Sequence, residues 1–520
     1  MSSSVSRIVI VGGGSAGWLA AGVIAATYAS DKTDNGISVT LVESPDINTI
    51  GVGEGTWPSM RRTLERIGLS ETDFLTFCDA SFKQGTEFFN WRAADTSSYT
   101  HPFSPPLAYD HCNPAPAFLT LSDDLRFDQT VCPQTHLFKK HQAPKQITSA
   151  EYAGASNYGY HLDASKFAEI LKKHCISQLG VKHVVANVRD IVSQDNGDIA
   201  ALKTDRTDPI DGDLFVDCSG ARGLLIHEHY NIGFKALDHL LFNNRAVATQ
   251  VPYATPESAI ASCTQATAQE NGWIWDIGLT TRRGVGYVFS SHHQSDELAI
   301  ETLHRYVQNA RDETAVGQLP SRVISFQPGH RSAFWHKNCV ALGMAAGFIE
   351  PLEASALVLV ELGAAMIADE LPPHRAAMTR VSQRYNERFN YRWDRIVDFL
   401  KLHYILSDRA ESYWQDHRDR ASIPESLIEQ MQAWSYRTPW HDDHYHADEM
   451  FPSASYQYVL YGMKFKPTQP TPAYRDFQDR LNQSFRIFQN VAKDGQKLEQ
   501  AMPTNRSLLT KIGQYGLKTI

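Results

Sequence analysis

The sequence contains no membrane-length apolar run, no basic block and no paired cysteine motif, and each absence removes a class of function. The longest apolar candidate, residues 354–368, is broken by Glu361. It falls short of the ~18 residues a membrane span needs, so it reads as a buried helix and no membrane partner is expected. Lys and Arg number 49 against 58 Asp and Glu, a net charge of −9. Nucleic-acid affinity comes chiefly from a basic face meeting phosphates, so that partner is not expected either. Cys78, Cys112, Cys132, Cys175, Cys218, Cys263 and Cys339 are scattered, odd in number and never spaced CxxC. They read as reduced, buried thiols of a cytoplasmic chain rather than a disulfide framework or zinc knuckle. Met1-Ser2-Ser3-Ser4 leads straight into an apolar strand, with neither the basic segment nor the cleavage site of a signal peptide. HExxH and Walker sequences are missing, and the GxSxG spelling at residues 13–17 falls inside a glycine-rich loop, which leaves hydrolase and NTPase readings without support. His441, His444 and His446 lie among Asp442, Asp443, Asp448 and Glu449. Their i, i+3, i+5 spacing matches no standard metal site, and no metal is expected. The 520 residues suit two or three domains, or one large α/β body with insertions.

What is present begins at the N-terminus. Arg7-Ile8-Val9-Ile10-Val11 reads as a strand buried on both faces. Gly12-Gly13-Gly14-Ser15-Ala16-Gly17 follows, then a small-residue helix over 18–29 and a second strand over 37–42 that ends in Glu43. This is a dinucleotide fingerprint in its βαβ context. Gly12 permits the tight turn, Gly14 lets backbone amides approach a pyrophosphate, and Gly17 allows close helix–strand packing. Ser15 and Ala16 belong to the same cofactor-binding loop, and the N-terminal N–H groups of the helix that follows attract phosphate. Glu43 is placed to accept from a ribose hydroxyl, which favours FAD or NAD over NADP.

Two further segments decide between those cofactors. Asp163 caps a helix with Phe167, Ile170 and Leu171 on its apolar positions, a hairpin turns at Asn196-Gly197, and the strand over 214–218 runs into Ser219-Gly220-Ala221-Arg222-Gly223. Residues 338–347 repeat the strand-then-glycine pattern through Gly343 and Gly347, and the repeat is expected to open a long helix. Glycine-rich strand ends near 12, 220 and 343 suit a flavoprotein that holds FAD with distant segments. Beyond Pro372 the character changes: residues 380–406 form a helical pattern dense in aromatics, Pro424 starts another helix, and 439–452 is polar and irregular. The expected fold class is α/β, a Rossmann-like FAD-binding fold of the flavin monooxygenase type with an added, mainly helical subdomain.

Several constellations carry chemistry. Trp273 and Trp275 in Gly272-Trp273-Ile274-Trp275-Asp276-Ile277-Gly278 point to one face of a strand, either as a wall beside a cofactor or as part of an aromatic core. Gly347-Phe348-Ile349-Glu350-Pro351-Leu352-Glu353-Ala354-Ser355-Ala356 reads as a helix N-terminus able to hold an anion. There Glu353 either transfers protons or complements the helix dipole. Lys83 follows a helix opened by Ser70-Glu71-Thr72-Asp73 and sits among Phe82, Phe88, Phe89 and Trp91. It is either a desolvated amine or an ordinary cation–π partner.

Together these residues resemble the flavin-dependent tryptophan halogenase family over most of the chain. Residues 12–18 look like its flavin loop, and Gly51-Val52-Gly53-Glu54-Gly55-Thr56 like its flavin-contacting strap, so Gly53 and Glu54 join Gly343 and Gly347 as expected cofactor contacts. Trp273-Ile274-Trp275-Asp276-Ile277 is similar to its WxWxIP box, Pro351-Leu352-Glu353 to its PLEST segment, and residues 394–404 to its C-terminal helical signature. The resemblance implies an enzyme in which FADH2, supplied by a separate flavin reductase, reacts with O₂. The resulting flavin hydroperoxide oxidises chloride or bromide to hypohalous acid. Ser355 and Ala356 would hold the halide. Lys83 would receive the oxidant and direct electrophilic halogenation of an indole-type substrate, with Glu353 assisting. His101 and Phe103 would pack on the indole, Trp273 and Trp275 would keep it from the flavin, and Tyr456 aligns near the tyrosines that hold the amino-acid part of tryptophan. The implied organisation is an FAD-binding domain over 1–371, with inserted segments near 95–150 and 235–320, and a helical capping subdomain over 372–520; a homodimer is left open. Three positions depart from the family: Gly278 in place of proline, which loosens that backbone, Ala354-Ser355-Ala356 in place of Ser-Thr-Gly, and Gln457 beside Tyr456. They point to a bromination-tolerant enzyme acting on indole or a larger indole-bearing molecule. The alternative in the same fold is an aromatic hydroxylase.

Overall fold

The computed structural model describes residues 4–28, 36–47, 53–95, 97–206, 208–309, 319–443, 446, 449–468 and 476–519. The chain divides into two compact units, one formed by residues 1–80, 162–237 and 327–393, the other by 81–161, 238–326 and 394–520. The inserted segments and the C-terminal helices therefore belong to one unit. Residues 372–393 belong to the other, and the division falls within the long helix Arg375–Ile405.

In the first unit, Arg7–Val11 lies at the centre of a six-stranded sheet. Leu214–Asp217 pairs parallel on one side and Ser38–Glu43 on the other. Cys339–Ala341 and Lys182–Val185 extend the parallel set, and Trp335–His336 closes one edge antiparallel. Val9 and Ile10 are buried by helices packed on the sheet, which explains why this strand is uninterrupted by polar residues. The helix Ser15–Tyr28 follows directly and begins three residues earlier than its small-residue pattern suggested, so Ser15 and Ala16 occupy its first turn. Asp163 caps Ala164–Ser177 by accepting from the Ser165 and Lys166 amides. The Asn196-Gly197 hairpin joins Val188–Ser193 to Ile199–Thr204. The third glycine segment does not open a helix. Gly343–Ala345 forms one 3₁₀ turn, Gly347–Phe348 is a short strand, and the helix starts only at Ser355, running to Asp369.

The second unit is built on a seven-stranded sheet in the order Ser321–Ser325, Arg245–Pro252, Arg282–Phe289, Gly272–Gly278, Thr264–Gln269, Gly85–Phe89, Ser98–Pro102. All its pairings are antiparallel except that between Thr264–Gln269 and Gly85–Phe89. Ile274, Val285, Tyr287 and Val247 pack on Ala299, Leu303 and Val307 of helix Asp296–Asn309. Because strand side chains alternate, Trp273 and Trp275 project from the opposite face. Helices Glu425–Trp434, Ser453–Gly462, Phe477–Ala501 and Asn505–Tyr515 complete the unit. All seven cysteines are buried and none is disulfide-bonded. Among the described residues, no helix is long and apolar enough to cross a membrane.

Candidate active site

The first unit contains a cavity of ≈ 390 Å³ lined by Gly12, Gly13, Gly14, Ser15, Ala16, Glu43, Glu54, Ser219, Gly220, Gly343, Gly347, Ser355 and Ala356, with further apolar walls. Gly12 has φ +121°, and its N–H donates to the Val42 carbonyl at 2.9 Å. A Cβ on Gly17 would stand 1.9 Å from the Gly12 carbonyl oxygen, so only glycine lets the helix approach the turn. A Cβ on Gly14 would meet nothing within 4 Å and would project into the cavity. That opening, the uncommitted amides of the first helical turn and the nearby carboxylate suit a dinucleotide such as FAD. Glu43 Oε2 is held by Lys172 Nζ at 2.9 Å and His183 Nε2 at 2.7 Å, which fixes the carboxylate over Gly13 at the cavity wall. Gly343, at φ +62°, brings the third glycine segment against Ala16: a Cβ there would lie 2.8 Å from the Ala16 methyl. In the strap, Gly51 and Val52 lie outside the described residues. Gly53–Gly55 forms a short strand, and Glu54 faces the cavity with its carboxyl pushed up to about 7 by burial.

Nothing in the sequence pattern marked the role of Asp217. Its carboxylate accepts from the Ser219 amide and hydroxyl and from the Leu225 and Ile226 amides, at 2.5–3.0 Å. A buried acid at the end of a strand thus organises the whole loop that carries Ser219 and Gly220 to the cavity.

Glu353 sits in the short 3₁₀ turn Leu352–Ala354, with non-helical backbone, rather than in the first turn of the α-helix that follows. It and Ala354 adopt left-handed backbone, φ +64° and +55°, and Ala354 is the residue that caps the helix beginning at Ser355. The Glu353 side chain is buried, and its carbonyl accepts from Trp57 Nε1 at 2.7 Å. Ser355 is buried and Ala356 exposed, and both line the cavity at the helix N-terminus. A small anion there meets a hydroxyl and free amides.

In the second unit, Lys83 closes the short strand Ser81–Lys83, which pairs antiparallel with Gly159–His161. Its side chain is only 1 % exposed, and the ammonium lies 5.4 Å from the Phe103 ring centre. This is a desolvated amine held against an aromatic face, not one whose head reaches into water. His161 Nε2 shares a hydrogen bond with the Thr264 hydroxyl at 2.9 Å. Burial, and then the charge of Lys83, hold this imidazole well below its usual range, so it is neutral. Two residues before Lys83, the Ser81 hydroxyl donates to the Gly278 carbonyl at 2.5 Å. Gly278 is buried rather than loose: a Cβ would come within 2.9 Å of Ile260 and 3.0 Å of the Tyr253 hydroxyl.

His101 is buried, sharing a 2.9 Å hydrogen bond with the Ser455 hydroxyl, and its ring lies 5.5 Å from Phe399 and 6.5 Å from Phe451. Tyr456 joins the same group, 5.0 Å from Phe399 and 5.1 Å from Trp434. Gln457 turns elsewhere and donates to Asn113 and the Pro439 carbonyl. The structure therefore brings His101 and Tyr456 into one aromatic cluster, to which Phe399, Phe451 and Trp434 add surface. The aromatic density of residues 380–406 was the only advance signal for Phe399. Trp273, 1 % exposed, packs on Trp91 at 6.2 Å and on Trp275 at 6.4 Å. The Trp91 side of that contact belongs to the aromatic core with Tyr404 and Trp414, whereas Trp275 is half-buried. In the histidine-rich tract, His444 and Asp448 lie outside the described residues. His441 contacts the Tyr109 carbonyl, and Asp443 pairs with Arg437.

The model of the tryptophan halogenase family matches residues 7–479. The solved structure of a tryptophan halogenase from Shewanella frigidimarina is similar with a TM-score of 0.95 and 47% identity, over 99% of each chain. The tryptophan 6-halogenase SttH of Streptomyces toxytricini is 31% identical across 90% of this chain and 91% of its own. The tryptophan 7-halogenase RebH of Lentzea aerocolonigenes is 27% identical across 99% of this chain and 100% of its own.

Proposed function

This chain belongs to the tryptophan halogenase family, and on that premise we propose that it transfers chlorine or bromine to an indole-type aromatic ring in a reaction dependent on FADH2 and O₂. FAD, reduced by a separate flavin reductase and bound in the cavity of the first unit, supplies the oxygen activation that raises halide to the level of hypohalous acid. Gly12, Gly14, Ser15, Ala16 and Gly17 receive its pyrophosphate, and Glu43 a ribose hydroxyl. Ser355 and the amides at Ala356 bind the halide. Lys83 holds the hypohalous acid by a hydrogen bond from its ammonium, or as the amine forms an N–halogen bond with loss of water. The halogen passes to the ring carbon as its bond to oxygen or to the Lys83 nitrogen breaks. The departing hydroxide takes a proton from the Lys83 ammonium and leaves as water, or the Lys83 amine is regenerated. The displaced ring proton leaves to the Glu353 carboxylate, which also steadies the cationic ring. His101, Phe103 and Tyr456 supply the surface for the arene.

One observation carries this reading: an amine buried to 1 % exposure, against an aromatic ring and beside a neutral imidazole. Taking an amine out of water costs solvation free energy, and an oxidant-transfer role accounts for placing one there. The test is incubation with FAD, a flavin reductase, NADH, bromide and indole, followed by mass spectrometry. Bromoindole is expected from the native chain. Lys83→Ala should form none while still releasing hypobromous acid to a monochlorodimedone trap. Hydroxyindole as the product would assign the chain to aromatic hydroxylation, and bromoindole from Lys83→Ala at the native rate would remove Lys83 from the chemistry.

A further inference from the structure

Glu353 stands on two consecutive left-handed residues, neither of them glycine. Such backbone persists only where its surroundings fix it. The Glu353 carbonyl precedes the helix cap at Ala354, so it lies outside the helical hydrogen-bond ladder and needs a donor from elsewhere. Trp57 Nε1 supplies it at 2.7 Å. Trp57 is itself anchored at both ends. On one side is the short strand Gly53–Gly55, and on the other the helix Ser59–Arg66, whose Ser59 and Thr63 hydroxyls donate to Glu361 on the same helix that follows Glu353. The indole N–H is thus delivered by a segment tied to the helix it serves.

We propose that Trp57 is a positioning residue for the Glu353 carboxylate: its indole N–H holds the left-handed turn that fixes the direction of the acid. The inference rests on Glu353 acting in halogenation. Loss of the N–H removes this hydrogen bond from the Glu353 carbonyl, the turn relaxes toward ordinary φ, and the carboxylate leaves its position while the cofactor cavity keeps its lining.

The experiment compares the native chain with Trp57→Phe, and with a chain in which benzothienylalanine replaces Trp57, so that the ring shape is kept and only the N–H is lost. Both are expected to lower kcat for haloindole formation about tenfold, the scale of a misplaced catalytic group, with KM for indole, FAD affinity and hypohalous acid release unchanged. In a Glu353→Gln background, Trp57→Phe should cost nothing further, since both act through one group. Native kcat in the benzothienylalanine chain would overturn the inference. So would an undiminished effect in the Glu353→Gln background, or hypohalous acid release falling in step with halogenation. A crystal structure of Trp57→Phe decides independently of activity: a Glu353 that keeps φ near +64° and an unmoved carboxylate refutes the positioning role even if the native chain makes no haloindole. The absence of haloindole from the native chain counts against the proposed function alone.

Discussion

Gly14 and Gly17, three positions apart in one loop, separate binding from folding. The extra methyl of Gly17→Ala would meet the Gly12 carbonyl oxygen at 1.9 Å, a backbone contact that cannot yield. The helix must then back off the strand, and the overpacking costs a few kcal/mol. The methyl of Gly14→Ala enters open cavity and meets nothing within 4 Å. Thermal unfolding in the absence of FAD should therefore show Gly17→Ala clearly destabilised and Gly14→Ala close to native, while titration with FAD should show Gly14→Ala weakened at least tenfold. Equal loss of stability in both would mean that the loop is not shaped as described. These roles were legible because the chemistry fixes residue and spacing together. The same holds for Lys83 only through resemblance, since an amine among aromatics reads equally well as a cation–π pair until its burial is seen. Glu353 was legible as a residue but not as a conformation: Pro351 made a helix start plausible, and two successive left-handed residues other than glycine leave no mark in local propensity. Asp217 was hidden for a related reason, because three of its four donors are backbone amides, as far off as Ile226, and carry no side-chain signature.

Helices Ser59–Arg66 and Ser355–Asp369 are joined through Glu361, a buried carboxylate that accepts from Ser59 at 3.1 Å and from Thr63 at 2.6 Å. Sequence showed Glu361 only as the charge that interrupts an apolar run. The structure shows why it is tolerated: burial pushes its carboxyl up to about 7, against the pull of those two hydrogen bonds, so the acid is half-protonated near neutrality. The fold thus binds this proton more tightly than the unfolded chain does. Its contribution to stability is full below the ordinary carboxyl range, falls as pH rises toward 7, and is level above that. Glu361→Gln keeps two hydrogen-bonding atoms and removes the titration. Urea midpoints of native chain and variant should nearly coincide at pH 5 and separate in favour of the variant by pH 8, by up to about 3 kcal/mol. Parallel pH profiles would show that the carboxyl titrates normally and that the helix pair does not enclose it. The same contrast of scale explains Trp273 and Trp275. Alternation along Gly272–Gly278 gives their common face, but which neighbours cover that face depends on Trp91, brought in from a distant part of the chain.

At the scale of the whole molecule, the two compact units are each assembled from three separated stretches of sequence. Composition marks the change near residue 372 but not this interleaving, because contact between residues hundreds of positions apart leaves no periodicity to read. The N-terminal βαβ unit was legible from strand character and the glycine-rich loop, whereas the mostly antiparallel seven-stranded sheet was not, apart from its tryptophan strand. This division has a measurable consequence. Every residue that lines the cavity lies in the first unit, so FAD, by binding the folded form, stabilises that unit directly. At one hundred times its dissociation constant a ligand adds about 2.7 kcal/mol, which slows hydrogen exchange by global opening roughly a hundredfold. Amides of Arg7–Val11, Leu214–Asp217 and Cys339–Ala341 should show this slowing on addition of FAD, and the Gly14→Ala chain should show little of it. Strands Gly272–Gly278 and Arg282–Phe289 of the second unit should keep their unliganded rates. Equal slowing in both sheets would mean that the chain opens as one cooperative body, and no slowing in Arg7–Val11 would mean that the glycine loop does not hold the cofactor.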